Sequence, residues 1–296
     1  MIEKVEEQIV DLVDQVGYDE ASKLFKTLKG GKRLRAKLVM KIAPECGDAP
    51  LLGAIIELIH AASLLHDDVI DDAALRRGAP SVNATEGSKT AVMLGDILYS
   101  KAFSSLVAFD KAVAQCVADA VTALSVGEMQ DVRMADSFND DADIYMGMLY
   151  NKTASLIEAA AKGAALLSGK DAQNYALYGK NLGLAFQIID DILDIVSDEA
   201  TLGKPAMNDY VEGKCTLPYI YLYEALEGEE KARLKSYHGK KLSEEEGAWV
   251  KEKMQTHRCV EKSYAVARTL SDEAVAAVPE ERELVAIIES MMERRY

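Results

Sequence analysis

Apolar residues recur along this chain at a period near 3.6, in window after window rich in Ala, Leu, Glu, Lys and Met, and no convincing alternating run appears. Only six prolines interrupt the pattern, so helix is predicted nearly throughout. Three segments are apolar almost all round: "LLGAIIELIHAASLLH", "KTASLIEAAAKGAALLSG" and "YGKNLGLAFQIIDDILDIV". Helices of that kind belong in the middle of a bundle. The N-terminal stretch and everything after about Gly228 are amphipathic and charged, which predicts an outer layer. No Pro/Gly/Ser-rich linker and no repeat of solenoid length divides the chain, so residues 1–296 read as one all-α domain.

The formal charge of -15 argues against nucleic acid and anionic membrane as partners. Any bound anion must then be held locally, by clustered cations or by metal ions. The opening "MIEKVEEQIVDLVDQV" mixes charges with apolar residues at helical spacing and reads as neither a secretory signal nor a membrane anchor, so a cytoplasmic protein is expected. Cys46, Cys116, Cys215 and Cys259 lack metal-binding spacing and receive no role.

Candidate chemistry begins with "LLHDDVIDDAALRRG". On a helix, Asp67 and Asp71 share a face and Asp68 lies about a quarter turn away. Like charges so spaced destabilise a helix by roughly 0.2–0.5 kcal/mol per pair, and no lysine or arginine lies within the preceding turns to compensate. A hydrated helix end would explain one such cluster. A second copy, Asp190, Asp191 and Asp194 in "FQIIDDILDIVSDE", points further: two acidic faces converging across a bundle need cations between them. Aspartates without His or Cys company favour a hard ion, and Mg²⁺ takes one or two carboxylates with water and substrate phosphate completing its shell. The cations agree. Lys32, Arg33 and Arg35 follow a glycine pair, Arg76 and Arg77 follow the first acidic face, and Lys152, Lys204 and Lys214 lie further on. Singly each is an ordinary surface charge; together they make a diphosphate-binding set.

The chain resembles the trans-isoprenyl diphosphate synthase, or polyprenyl synthetase, family. The pieces that carry the resemblance are "GGKRLRA", "IELIHAASLLHDDVIDDAALRRGAPS", "LGDILYSKAF", "NKTASLIEAA", "FQIIDDILDI" and "LGKPAMNDYVEGKCTLP", in the family's order. Ala36, Asn83 and Asn151 stand where the family commonly has proline, histidine and glycine. The resemblance implies the isoprenoid synthase fold, a single-domain bundle of long antiparallel helices around a central cavity. It also implies head-to-tail prenyl transfer with roughly three Mg²⁺ ions per site stabilising the leaving diphosphate. An allylic diphosphate would bind through Mg²⁺ to Asp67, Asp71 and Asp190, with Asp68, Asp191 and Asp194 as further ligands or support. Arg76, Lys152 and Lys204 would hold its phosphates, and Lys214 joins the substrate-binding set. Isopentenyl diphosphate would occupy a separate pocket of Lys32, Arg35, His60 and Arg77. Thr153 and Gln187 are the family positions whose oxygen dipoles face the developing cation. No side-chain base is evident, and the departing diphosphate can take the proton.

His60, two turns before Asp67, suits a phosphate donor, whereas His66 reads as a cap or packing residue, His238 and His257 as surface, and Trp249 as filler. A two-fold homodimer is expected through "LGDILYSKAF" and the helix after it. Product length is read from Ile59, Ala62 and Ser63: small side chains at the last two imply a product of about thirty to forty carbons, at about one isoprene unit per helical turn. Met93 or "VTALSVGEM" would supply the tunnel floor. The alternatives are a short-chain farnesyl or geranylgeranyl synthase, a head-to-head or cyclising enzyme, which would need no isopentenyl diphosphate pocket, and a non-catalytic accessory subunit, which would lack one acidic motif.

Overall fold

The computed structural model describes residues 1–28, 30–196 and 207–293. Its helices fall into two compact units, Met1–Val121 with Leu156–Ala176, and Thr122–Ser155 with Leu177–Tyr296.

In the first unit, α1 (Ile2–Asp14), α2 (Asp19–Thr27) and α3 (Leu34–Ile42) lead to α4 (Ala49–Ile70). This helix starts with Pro50 in its first turn, where a missing N–H costs nothing, and runs through Leu52, Ile55, Ile56, Leu58 and Ile59, all fully buried. Gly53 lets Val5 and Ala36 approach: a Cβ there would lie 3.4 and 3.5 Å from their side chains. By length and composition α4 could cross a membrane, but two-thirds of its apolar window is buried in this unit, as in a core helix. At Ala36 the departure from proline supplies an N–H, which donates to the buried Glu57 Oε1 at 3.1 Å.

Beyond α4 the chain does something the helical pattern did not predict. Asp71 N–H still bonds Asp67 C=O at 2.8 Å, Asp72 turns left-handed at φ 47°, and two short strands follow, β1 (Leu75–Arg76) and β2 (Ala79–Pro80). Their two-residue connection, Arg77 and Gly78, has φ of 53° and 70°, the positive pair that a tight hairpin's twist requires. The hairpin carries Arg76 and Arg77 back beside the acidic helix end. Ser81 caps α5 (Val82–Glu86), and α6 (Ser88–Leu106) packs along α4.

The chain passes into the second unit within α7 (Lys111–Ala135). After α8 (Ala142–Leu149), capped by the Asp141 carboxylate, one π turn spans Tyr150–Ala154 and leads into α9 (Ser155–Ser168). Gly127 makes room for this turn: a Cβ there would meet the Lys152 backbone N at 2.2 Å. α10 (Ala172–Val196) buries Tyr178, Leu182, Ile188, Ile189 and Ile192, and Tyr178 OH donates to Leu284 C=O at 3.0 Å. α11 (Asn208–Val211), α12 (Leu217–Ala225), α13 (Gly228–Tyr237), α14 (Glu244–Thr256), α15 (Cys259–Ala277) and α16 (Arg282–Met292) complete the unit. Of the last four, α13 buries only Leu234, while α14, α15 and α16 each bury a narrow stripe, as the amphipathic pattern predicts.

Candidate active site

In the first unit the aspartates divide by exposure. Asp68 is buried and pairs with Arg76, Oδ1 to Nε 2.6 Å, while Asp67 is half-buried and Asp71 exposed. Burial raises the Asp68 pKa and Arg76 opposes that rise. His66 turns aside: its Nε2 lies 3.3 Å from Val92 C=O and 3.4 Å from Asp96, and Gly95 leaves the space its ring occupies. It packs, as the sequence suggests.

Two turns earlier a cationic cluster surrounds His60. Arg33 is committed to structure, its guanidinium bonded to Glu6 at 2.7 and 3.1 Å and to Glu57 at 3.3 Å. Arg35 is different. Its Nε is buried without a hydrogen-bond partner, and burial lowers its pKa, with Glu57 opposing the shift and Arg77 adding to it. The Arg77 guanidinium lies over Gly31, where a Cβ would approach it to 2.7 Å. Burial and then Arg35, Arg77, Arg76 and Arg33 hold the His60 pKa well below 6.5, so the ring is neutral at pH 7. Lys32 is exposed beside this cluster. Four arginines act on the His60 ring and the buried Arg35 Nε has no protein acceptor, which suits an anionic ligand.

Ile59 and Ala62 are fully buried, and Ser63 is nearly so, with its hydroxyl donating to His60 C=O at 3.0 Å. Of the suggested floor residues, Met93, Val126 and Met129 are 55, 44 and 57 % exposed, whereas Val121 and Leu124 of the same stretch are buried.

The second unit builds its half around the π turn. Lys152 Nζ meets Asp131 at 2.5 Å and Glu128 at 2.9 Å, and Lys214 meets Glu212 at 2.9 Å. Burial opposes both ammonium charges, but the carboxylates outweigh it and raise both pKa values. Thr153 Oγ1 donates to Gln187 Oε1 at 3.2 Å, and Gln187 Nε2 donates to Asp191 Oδ1 at 2.9 Å. Asp191 Oδ2 accepts from the buried Tyr145 hydroxyl. Burial first, then Asp209, pushes the Asp191 carboxyl up to about 8 despite the bonds from Tyr145 and Gln187. Asp194, also buried, accepts from Asp209 N–H at 3.1 Å. Asp190 alone of the three is half-buried rather than buried. Thus in both units the aspartates expected to bind metal directly are the more accessible ones.

The Polyprenyl synthetase family model matches residues 19–254. The chain belongs to the polyprenyl synthetase family. It is similar over 98 % of its length, and 97 % of the other, to the octaprenyl pyrophosphate synthase of Helicobacter pylori, at 41 % identity and a TM-score of 0.93. It is 37 % identical over 249 residues to a short chain isoprenyl diphosphate synthase of Methanothermobacter thermautotrophicus, covering 80 % of this chain and 76 % of that protein. It is 40 % identical over 210 residues to an all-trans-nonaprenyl-diphosphate synthase (geranyl-diphosphate specific) of Rhodobacter capsulatus, covering 68 % of this chain and 65 % of that one. The fold is the all-α isoprenoid synthase fold, and the protein is a prenyltransferase.

Whether this enzyme's residues fit a metal follows from the donors. Among the described residues no three His, Cys, Asp or Glu side chains form a cage for an ion. Mg²⁺, which takes one or two carboxylates with water and phosphate completing its shell, fits the Asp67 and Asp71 pair and Asp190. Lys204 lies outside the described residues. A cavity of about 1250 Å³ in the second unit, lined by Ile195, Met254, Tyr264, Arg268 and Ile288 among others, touches none of the residues singled out above.

Sequence reading missed Glu57, Glu128, Asp131 and Tyr145. Glu57 was visible as a lone charge inside an apolar helix, and Glu128 with Asp131 as an i, i+3 acidic pair; Tyr145 gave no signal beyond an apolar position. His238, expected at the surface, is half-buried, with Nε2 2.7 Å from Gly213 C=O and its ring edge-on to Phe138 and Tyr210. The charged sequence around it hid this, because its partners come from other helices. Trp249 is half-buried and stacks under the Arg233 guanidinium at 4.4 Å.

Proposed function

We propose that the enzyme condenses isopentenyl diphosphate head to tail with an allylic diphosphate, giving an all-trans polyprenyl diphosphate of about thirty to forty carbons. The observation that carries the reading is the cluster of Arg35, Arg77 and neutral His60, in which the buried Arg35 Nε has no protein hydrogen-bond partner. A head-to-head or cyclising enzyme would need no isopentenyl diphosphate pocket. An accessory subunit would not need both aspartate motifs intact.

In this reading Asp67, Asp71 and Asp190 hold Mg²⁺, while Asp68, Asp191 and Asp194, tied to protein donors, orient them. Bound Mg²⁺ supplies Lewis-acid stabilisation of the departing diphosphate. Lys152 and Arg76 hold the allylic phosphates as a point charge and a planar fork, each kept in place by a carboxylate partner. Lys204 and Lys214 join them. Lys32, Arg35, His60 and Arg77 fix isopentenyl diphosphate, with His60 donating a neutral N–H. Thr153 and Gln187 turn their oxygen dipoles to the cation formed on ionisation, and the leaving diphosphate takes the proton.

The two units act as one catalytic domain. A homodimer is supported by exposed apolar side chains on α6, Met93 and Phe103, and on α7, Val126, Met129 and Val132. Light scattering giving a monomer mass at micromolar concentration would refute it. A cytoplasmic enzyme without a membrane anchor completes the proposal.

Incubation with labelled isopentenyl diphosphate and an allylic primer should yield labelled polyprenyl diphosphate, and no product would sink the reading. A short-chain product is the second reading, favoured by the name of the Methanothermobacter relative and by the absence of open surface at Ile59 and Ala62. Ala62→Phe decides: the main product should shorten to about fifteen or twenty carbons if the chain runs past this turn. A wild-type product that already stops at that length overturns the longer assignment.

A further inference from the structure

We propose that Tyr145 is a positioning residue of the second acidic motif: it clamps Asp191 and thereby keeps the neighbouring Asp190 presented to the metal-bound diphosphate. The inference rests on the function proposed above only in naming that ligand.

Tyr145 is 1 % exposed in the core of the second unit, where phenylalanine would pack equally well and would bury no polar atom. Its hydroxyl makes sense only through its partners. It donates to Asp191 Oδ2, and it accepts from the backbone N–H of Leu217, the first residue of α12. Gln187 holds the other Asp191 oxygen at 2.9 Å and is itself oriented by Thr153 at 3.2 Å. Asp194 is tied to Asp209 N–H at 3.1 Å, and its carbonyl accepts from Met207 N–H at 2.8 Å. The last turns of α10 are thus fastened from three elements: α8 through Tyr145, the π turn through Thr153 and Gln187, and the start of α11 through Asp209. Asp190 follows from this fastening. It is one residue from Asp191, so any rotation of the helix end that relieves a loosened Asp191 carries Asp190 with it by the same angle.

Removing the hydroxyl leaves a carboxylate oxygen, in a residue 5 % exposed, short of one donor. The loss of one buried hydrogen bond corresponds to about ten-fold in an equilibrium constant. Tyr145→Phe should weaken the binding of magnesium with inorganic diphosphate, measured by titration calorimetry, by about that factor. Amide exchange across residues 186–196 should quicken, while KM for isopentenyl diphosphate stays at its wild-type value. A variant that melts earlier but binds magnesium diphosphate as wild type does would overturn the proposal. If Tyr145→Phe does not fold, 3-fluorotyrosine at position 145 keeps ring and donor while changing donor strength. A shifted magnesium diphosphate affinity supports the clamp, and an unshifted one rejects it. Wild-type protein that binds magnesium diphosphate yet makes no prenyl product would remove the proposed function and leave this test standing.

Discussion

At the end of α4 the buried aspartate, Asp68, meets the Arg76 guanidinium; at the end of α10 the buried aspartate, Asp191, meets a phenol and an amide. Both stretches read D-D-x-x-D, and both leave their first aspartate more accessible than their second. The support behind them differs because the surroundings differ in charge. The first motif is followed by a hairpin that returns two arginines, so its buried carboxylate is balanced by a cation. The second lies among Asp209, Asp190 and neutral donors, and burial pushes Asp191 up to about 8. A repeated motif therefore specifies which side chains face the ligand, while the means of burying the others is set locally.

The largest expected effect tests the shared part of this comparison. Asp67→Ala and Asp190→Ala should each lower kcat by at least about a hundred-fold, since each removes stabilisation of the leaving diphosphate, and chelation should abolish turnover. Steady-state rates with saturating Mg²⁺ check it. A near-normal rate for either variant would mean that the two motifs are not functionally alike.

Next come the glycines that let each motif's neighbours approach. At Gly127 an added Cβ meets backbone, Lys152 N at 2.2 Å, whereas at Gly95 it meets the His66 ring at 2.4 Å. Backbone cannot step aside and a side chain can. Gly127→Ala should cost about 3 kcal/mol and Gly95→Ala about 1 kcal/mol in urea melts. Equal costs would show that the π turn yields as readily as an imidazole.

Smaller still, and aimed at the difference itself, is the pair Asp68→Asn and Asp191→Asn in metal-free protein. An amide opposite Arg76 loses an ion pair, expected to cost about 1–2 kcal/mol once the part-exposed guanidinium is discounted for solvent screening. An amide opposite Tyr145 keeps an oxygen acceptor, and Gln187 can flip to suit its nitrogen, so the change should stay within about 0.5 kcal/mol. Reversal of this order in thermal or urea melts would contradict the contrast drawn above.

Much of this was legible in the sequence for a physical reason: periodicity reports which face is buried. The three apolar runs are the main part of α4, the π turn with α9, and most of α10. The aspartate pairs announced themselves because charge at the end of an apolar helix is costly without a purpose. What stayed hidden depends on long-range partners. The Arg76 to Asp68 pair needs a hairpin made by left-handed residues at Arg77 and Gly78, and Arg77 is not a residue that advertises that conformation. Tyr145 reads as one more apolar position on α8 until Asp191 lies beside it. Glu128 and Asp131 look like solvent-facing charges until Lys152 is brought to them by a π turn that no local preference foretells.

The smallest effect expected is the titration of His60, which reports the charge balance around the first motif directly. Its ring is buried and faces Arg35, Arg77, Arg76 and Arg33, so protonation is disfavoured in the folded chain relative to the unfolded one. The unfolded state thus binds a proton below about pH 6.5 that the folded state refuses, and stability must rise with pH through that window and level off above it. The slope cannot exceed about 1.4 kcal/mol per pH unit for a single group. His60→Gln should flatten the dependence between about pH 5 and 6.5 in metal-free, substrate-free protein. The imidazole resonances of the wild type should stay those of the neutral ring well below pH 6.5. Addition of isopentenyl diphosphate offers the sharper reading: a dianionic ligand among the four arginines offsets the field that keeps His60 neutral, so its titration should move upward toward the ordinary histidine value. A ring that titrates normally without ligand would mean that the arginines do not act on it, and the first motif would then be no richer in positive charge than the second.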